Sequence, residues 1–248
     1  MSNQSTHSTS QKKGLLPWVT FIMMVLGIST VIALYWKEHL AIKEVEVVGN
    51  YFTPKESILA KAGVSIGQKP DSLDLDGIIK RIESLSYVKT ASPYVEPDGD
   101  LRLSINERTP IALLVNDDTR VYVDEDGVKL PIIEGKILDL PIVYGFNTSL
   151  KGDTLRSKNF EQVKNFLISA RNNEFGWATI SEIALSKKEG VVALSHENGV
   201  KLVFGFDDFD AKLQNWEAFY SEVIRVKGIQ TMQQVDLRFK NQVVTHES

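Results

Sequence analysis

The 248-residue chain has no cysteine and only four histidines. The missing thiols exclude disulfides, a cysteine nucleophile, Cys-ligated zinc and iron–sulfur clusters, so ordinary burial must hold the fold. His7, His39, His196 and His246 are far apart and none has a second ligand at i, i+4, which leaves zinc and a catalytic triad without parts. No Gly-rich phosphate loop and no G-x-S-x-G elbow occurs. Excess positive charge is lacking too: 28 Lys and Arg stand against 32 Asp and Glu. An acidic, interspersed surface argues against nucleic acid and against anionic lipid as the main partner. No small-molecule substrate, cofactor or metal is implied.

One long stretch lacks charge altogether. Leu15 to Trp36, LLPWVTFIMMVLGISTVIALYW, holds roughly twenty-two residues, enough for a helix across the about 30 Å of a bilayer core. Trp18, Tyr35 and Trp36 sit near its ends, as interfacial rings do. Lys12 and Lys13 precede it, while Lys37 is offset at once by Glu38, so the positive-inside rule puts the N-terminus in the cytoplasm. A cleaved signal would have a shorter apolar core and a small-x-small site after it. Gly27 and Ser29 are too few to argue a helix-dimer face. The first ten residues, MSNQSTHSTS, read as a disordered tail. Beyond the apolar run the chain carries 26 basic and 32 acidic residues once Lys12 and Lys13 are set aside, a net of −6.

The outer part divides in two. Ile42–Val48 alternates as a strand. Thr53-Pro54-Lys55-Glu56 reads as a capped helix start, with Gly63 as its stop. Leu75, Ile78, Ile79, Ile82 and Leu85 form a helical stripe, with Asp74 and Asp76 at the positive end. Val88–Glu96 and Leu101–Asn106 are strands around a Pro97–Asp100 turn. This is a β-α-α-β-β unit. A mixed β region follows. Strands are expected at Ile111–Val115, Arg120–Asp124 and Val128–Ile133, then a surface loop over Glu134–Gly152. Ser157–Asn173 is an amphipathic helix. Ile180–Leu185, Val191–Ser195 and Val200–Phe204 are strands, the last two joined by Asn198-Gly199. Asp207–Lys227 is a long helix with Leu213, Trp216, Tyr220, Val223 and Ile224 inward. Gln233–Val244 closes the fold, with Val235, Leu237 and Phe239 inward and Asp236, Arg238 and Lys240 outward.

Three clusters were weighed for chemistry. Asp74, Asp76, Gly77 and Glu83 match four EF-hand positions, but Ser72 stands where a carboxylate is needed, and a helix occupies the loop. Asp124, Asp126 and Gly127 belong to a turn. Glu182 and Glu189 are the one imaginable acid/base pair, and glutamates at strand ends are ordinarily solvated. Phe160, Phe166, Trp177 and Trp216 fall at core spacing. No catalytic set assembles.

Read in order, several motifs are similar to one family. Behind the apolar run come Val47-Val48-Gly49-Asn50, then Tyr87-Val88-Lys89-Thr90-Ala91, Leu103-Ser104-Ile105-Asn106-Glu107-Arg108-Thr109-Pro110 and Val123-Asp124-Glu125-Asp126-Gly127-Val128. The chain resembles the bacterial cell-division family FtsQ/DivIB over nearly its whole length, and Val235-Asp236-Leu237-Arg238-Phe239 resembles that family's last strand. The resemblance implies an α+β fold: a cytoplasmic tail (1–14), a single N-terminal transmembrane helix (15–36), a POTRA domain (40–109), a mixed β domain with flanking helices (110–244) and a short C-terminal tail (245–248). It implies a non-enzymatic inner-membrane scaffold at the division site. Its partners would be FtsB/FtsL (DivIC)-like bitopic proteins and septal peptidoglycan synthases. The expected partner-binding residues are Val235, Asp236, Leu237, Arg238, Phe239 and Lys240, on a strand offering an unpaired edge for strand addition. The rivals are a POTRA-bearing transport component, which should continue into membrane β-strands, and a membrane-anchored cell-wall enzyme.

Overall fold

The computed structural model describes residues 16–39, 41–151, 154–240 and 242–247; the expected tail 1–14, with His7, Lys12 and Lys13, lies outside the described residues, as does Leu15. Helix α1 (Leu16–His39) runs 24 residues. Its described side chains, 18–32 and 35, are all exposed. Among the described residues no helix is long and apolar enough to cross a membrane.

The first outer unit is β1 (Val45–Val48), α2 (Lys55–Ala62), α3 (Leu75–Glu83), β2 (Val88–Val95) and β3 (Leu101–Glu107). Its sheet runs β1-β3-β2, with β1 parallel and β2 antiparallel to the centre. Period-2 alternation puts Leu101, Leu103 and Ile105 under the helices, where they meet Ile58, Ala62, Ile78 and Ile82. Fully burying such a side chain is worth roughly 1.5–3 kcal/mol, so this stripe supplies most of the unit's cohesion. Asp74 starts α3 by accepting the Gly77 N–H at 3.0 Å, a cap and not a metal loop. The Thr53 capping box does not form, because Pro54 holds the cap position with no side-chain bond. Glu107 is the reason. Its carboxylate accepts the N–H groups of Tyr51, Phe52 and Thr53 at 2.7, 2.6 and 2.7 Å, pinning the β1–α2 loop to the end of β3.

The second unit is one nine-stranded mixed sheet. Its strands are β4 (Pro110–Asn116), β5 (Thr119–Asp124), β6 (Lys129–Leu130), β7 (Ile142–Tyr144), β8 (Ile180–Ser186), β9 (Gly190–Ser195), β10 (Lys201–Gly205), β11 (Met232–Asp236) and β12 (Val244–Glu247). They are ordered β12-β11-β10-β9-β8-β7-β4-β5-β6. The expected Glu134–Gly152 loop thus contains a strand, β7, parallel to both β4 and β8 and joining the two halves of the sheet. The helices α4 (Lys158–Asn172), α5 (Glu174–Thr179) and α6 (Phe209–Phe219) carry Phe160, Phe166, Leu213 and Trp216 into the core with Val121, Leu202 and Val235. Ser157 caps α4 through the Phe160 N–H at 3.2 Å. The long Asp207–Lys227 helix is interrupted: Tyr220–Ile224 widens into a π turn before Lys227, and Gly228 ends it.

The two units share a small core of their own. Phe52 and Tyr87 stack at 4.4 Å and meet Tyr122 and Leu130 from the nine-stranded sheet. Tyr87 also donates its hydroxyl to the Pro131 carbonyl at 2.6 Å.

Candidate partner-binding edge

The closing segment is two strands and a turn, where one continuous strand over Gln233–Val244 was expected. The cause is local. Asp236, only 5 % exposed, accepts the Arg238 N–H at 3.1 Å and both sides of its guanidinium, at 2.9 Å from Nε and 2.5 Å from an Nη. That pair of bonds folds the backbone back on itself and ends β11. Burial pushes the Asp236 carboxyl up, and the hydrogen bonds and charge of Arg238 outweigh it, holding the group below its ordinary value. The ionised pair is therefore the stable state of this corner. Arg238 lies 5.9 Å from the centre of the Phe239 ring, a cation–π arrangement that holds the ring against solvent.

The expected partner-binding residues consequently separate. Val235 and Leu237 are wholly buried, as expected. Asp236 is buried where it was expected to face out, and Phe239 is 45 % exposed where it was expected to face in. Arg238 and Lys240 are exposed. The β11 strand is also not an edge. It pairs with β10 in parallel (Leu202↔Val235) and with β12 in antiparallel register (Val235↔Thr245). An added strand cannot reach it. The unpaired edge lies one strand further out, on β12, which runs from Val244 into the segment 245–248 expected to be a tail. Val244, His246 and Glu247 are exposed there, and Lys227 anchors Glu247 at 2.7 Å. The β-branched run Val243-Val244-Thr245 was the available signal for this strand.

The far end of the same sheet is closed. Strand β6 has two residues, and the segment after it is held by the Tyr87 hydroxyl at Pro131 and by Lys136, whose ammonium donates to the Tyr51 carbonyl and sits 5.0 Å from the Tyr51 ring. Arg108 bridges Asp124 and Asp126 at 2.8 and 3.3 Å, and Lys89 reaches Asp126 at 2.8 Å. The hydrogen bond from Lys89, with the charges of Lys89 and Arg108, keeps the Asp126 carboxyl below its usual range.

Glu189 pairs with Lys201 at 2.9 Å. A hollow of about 460 Å³ near His196 is lined by a single carboxylate, Asp139.

Comparison with known proteins agrees with this architecture. Residues 40–108 match the FtsQ-type POTRA domain model, and residues 109–246 match the model described as FtsQ/DivIB, C-terminal related. The cell division protein FtsQ of Rhodothermus marinus is 27 % identical over 98 % of this chain and 92 % of its own length. Those of Syntrophotalea carbinolica and Salinibacter ruber are each 24 % identical, covering 83 % and 85 % of this chain and 76 % and 84 % of their own. A solved structure of the major extracytoplasmic domain of DivIB from Geobacillus stearothermophilus aligns with 48 % of this chain and 97 % of its own, at 20 % identity and a TM-score of 0.33. With family models covering both outer units in order, the chain belongs to the FtsQ/DivIB family.

Proposed function

We propose that the chain is a non-enzymatic, membrane-anchored scaffold of the division machinery, which captures a bitopic FtsB/FtsL-type partner by strand addition on β12 and through it engages septal peptidoglycan synthases. The observation that carries this reading is the open edge itself. A nine-stranded sheet ends in four residues with a free row of N–H and C=O groups, and β11 behind it is fixed by fully buried Val235, with buried Leu237 just after it. A rigid, unpaired edge is what strand addition requires, since main-chain bonds give affinity and flanking side chains give register. Phe239 and Val244 supply apolar contact beside it, while Arg238 and Lys240 set charge preference at the rim. The charge-free run 15–36 and its flanking lysines support α1 as the anchor, with the N-terminus inside and the outer units across the membrane. Reporter fusions at Asn50 and Ser248 test that topology; cytoplasmic activity at either would contradict it.

The test of capture uses adjacent prolines. Along a strand, successive N–H groups point to opposite sides, so Thr245→Pro and His246→Pro remove one inward and one outward donor. One variant should melt lower. The other should keep the wild-type melting temperature and lose retrieval of the partner from membranes. If the stable variant retrieves the partner at wild-type levels, strand addition at β12 is wrong.

A further inference from the structure

We propose that Glu83 and Pro93 close the outer edge of β2, so that the POTRA unit does not pair with a second copy of itself. The order β1-β3-β2 leaves β2 at the rim, and among the described residues no strand pairs with its outer side. It has eight residues against four in β12. Thr90, Tyr94 and Val95 favour strand structure, and Tyr94 is 60 % exposed. A long strand of that kind at a rim is the ordinary template for pairing between copies.

The backbone donors of β2 do not permit it. Along an antiparallel pair, successive residues direct their N–H groups alternately toward the partner strand and away from it. Ala91 lies opposite Ile105, yet its N–H donates to the Glu83 carboxylate at 3.1 Å and not to β3. Ala91 therefore points its donor outward, and Pro93 and Val95 share that side by alternation. Glu83 occupies the first of these donors, and Pro93 has no N–H at all. A bulge between Val88 and Thr90 breaks the ladder further back, where Lys89 adds a charge to the rim. A closed pairing of two copies is two-fold, which for β2 against β2 means antiparallel. Centred on Pro93, it would set Ala91 against Val95 in both directions and Pro93 against itself. Both central bonds lack a donor, and Glu83 holds the Ala91 donor on each copy, so only the Val95 donors remain. Glu83, at the glutamate position of the EF-hand pattern, thus serves as a cap on a strand edge. This closure is independent of how β12 is used.

The chain has no cysteine, so Ser92→Cys gives a single site for a spin label at an exposed position of β2. The labelled full chain in detergent micelles should show no dipolar broadening while Glu83 and Pro93 are in place. In Glu83→Ala/Pro93→Thr, broadening should appear and grow with protein concentration, since paired strands lie about 4.8 Å apart. Amide exchange at Val95 should then slow about tenfold, as for one added hydrogen bond. Glu83→Gln/Pro93→Thr keeps an acceptor oxygen for Ala91 and should broaden less. Association through α1 would be common to every variant and cannot produce these differences. If Glu83→Ala/Pro93→Thr fails to fold, Pro93→Thr alone carries the test, with weaker broadening expected. No broadening in the folded variant, or equal broadening with Glu83 and Pro93 in place, overturns the proposal. Equal broadening of the Ala and Gln double variants overturns the part assigned to Glu83.

Discussion

The nine-stranded sheet ends differently on its two sides. At one end β6 is two residues long and is sealed by the neighbouring unit, through the Phe52–Tyr87 stack, the Tyr87–Pro131 hydrogen bond and Lys136. At the other end β12 is four residues long and no strand among the described residues pairs with its outer side. Exposed strand edges invite unwanted pairing, and proteins ordinarily blunt them. Here one edge is blunted with a dedicated aromatic core and the other is left open. The difference is what the proposed docking at β12 rests on.

Variants two residues apart sharpen the contrast at the open end. Leu237→Ala should cost about 2–5 kcal/mol through lost burial plus a cavity, read as a lower midpoint in denaturant. Phe239→Ala should cost under about 0.5 kcal/mol, as a surface change does, yet lose partner retrieval. A comparable stability loss in both would mean that Phe239 is core. At the sealed end, Tyr87→Phe removes the bond to the Pro131 carbonyl and should cost about 1–2 kcal/mol. Amide exchange at Lys129 and Leu130 should rise while that at Val235 stays slow.

The same tyrosine gives a pH signature. Burial, then the charges of Tyr122 and Glu107, push the Tyr87 phenol up to about 12. A raised folded pKa means that the contribution is intact below the ordinary value near 10 and is lost as pH rises toward 12. The fall in melting temperature over that window should be smaller in Tyr87→Phe than in wild type; equal falls would show that Tyr87 is not enclosed. A small effect is expected at Lys89, whose pair with Asp126 is largely solvated. Lys89→Ala should cost about 0.2–1 kcal/mol and less at high salt. Because the Asp126 carboxyl is held down by Lys89 and Arg108, that increment should vanish as pH falls through its lowered value.

Much of this was legible wherever the signal was short-range. The α3 stripe, the amphipathic α4, the Asn198-Gly199 hairpin and the inward Val235 and Leu237 all follow from spacing and turn chemistry. The rest depends on partners distant in sequence. Thr53 looks like a cap until Glu107, 54 residues on, takes its N–H. Strand β7 is three residues between Pro141 and Gly145, too short for a period to show. The strand expected to offer an open edge is paired on both sides, and the unpaired edge lies one strand further out. The Asp236–Arg238 pair that breaks the run looks, in sequence, like the polar half of a continuing alternation.

Hydrogen–deuterium exchange on the full chain, with and without an FtsB/FtsL-type partner, tests the open edge most directly. Partner binding should slow exchange at residues 244–247 and leave Lys129 and Leu130, at the sealed end, unchanged. Protection that appears elsewhere while residues 244–247 exchange as before would contradict docking at β12.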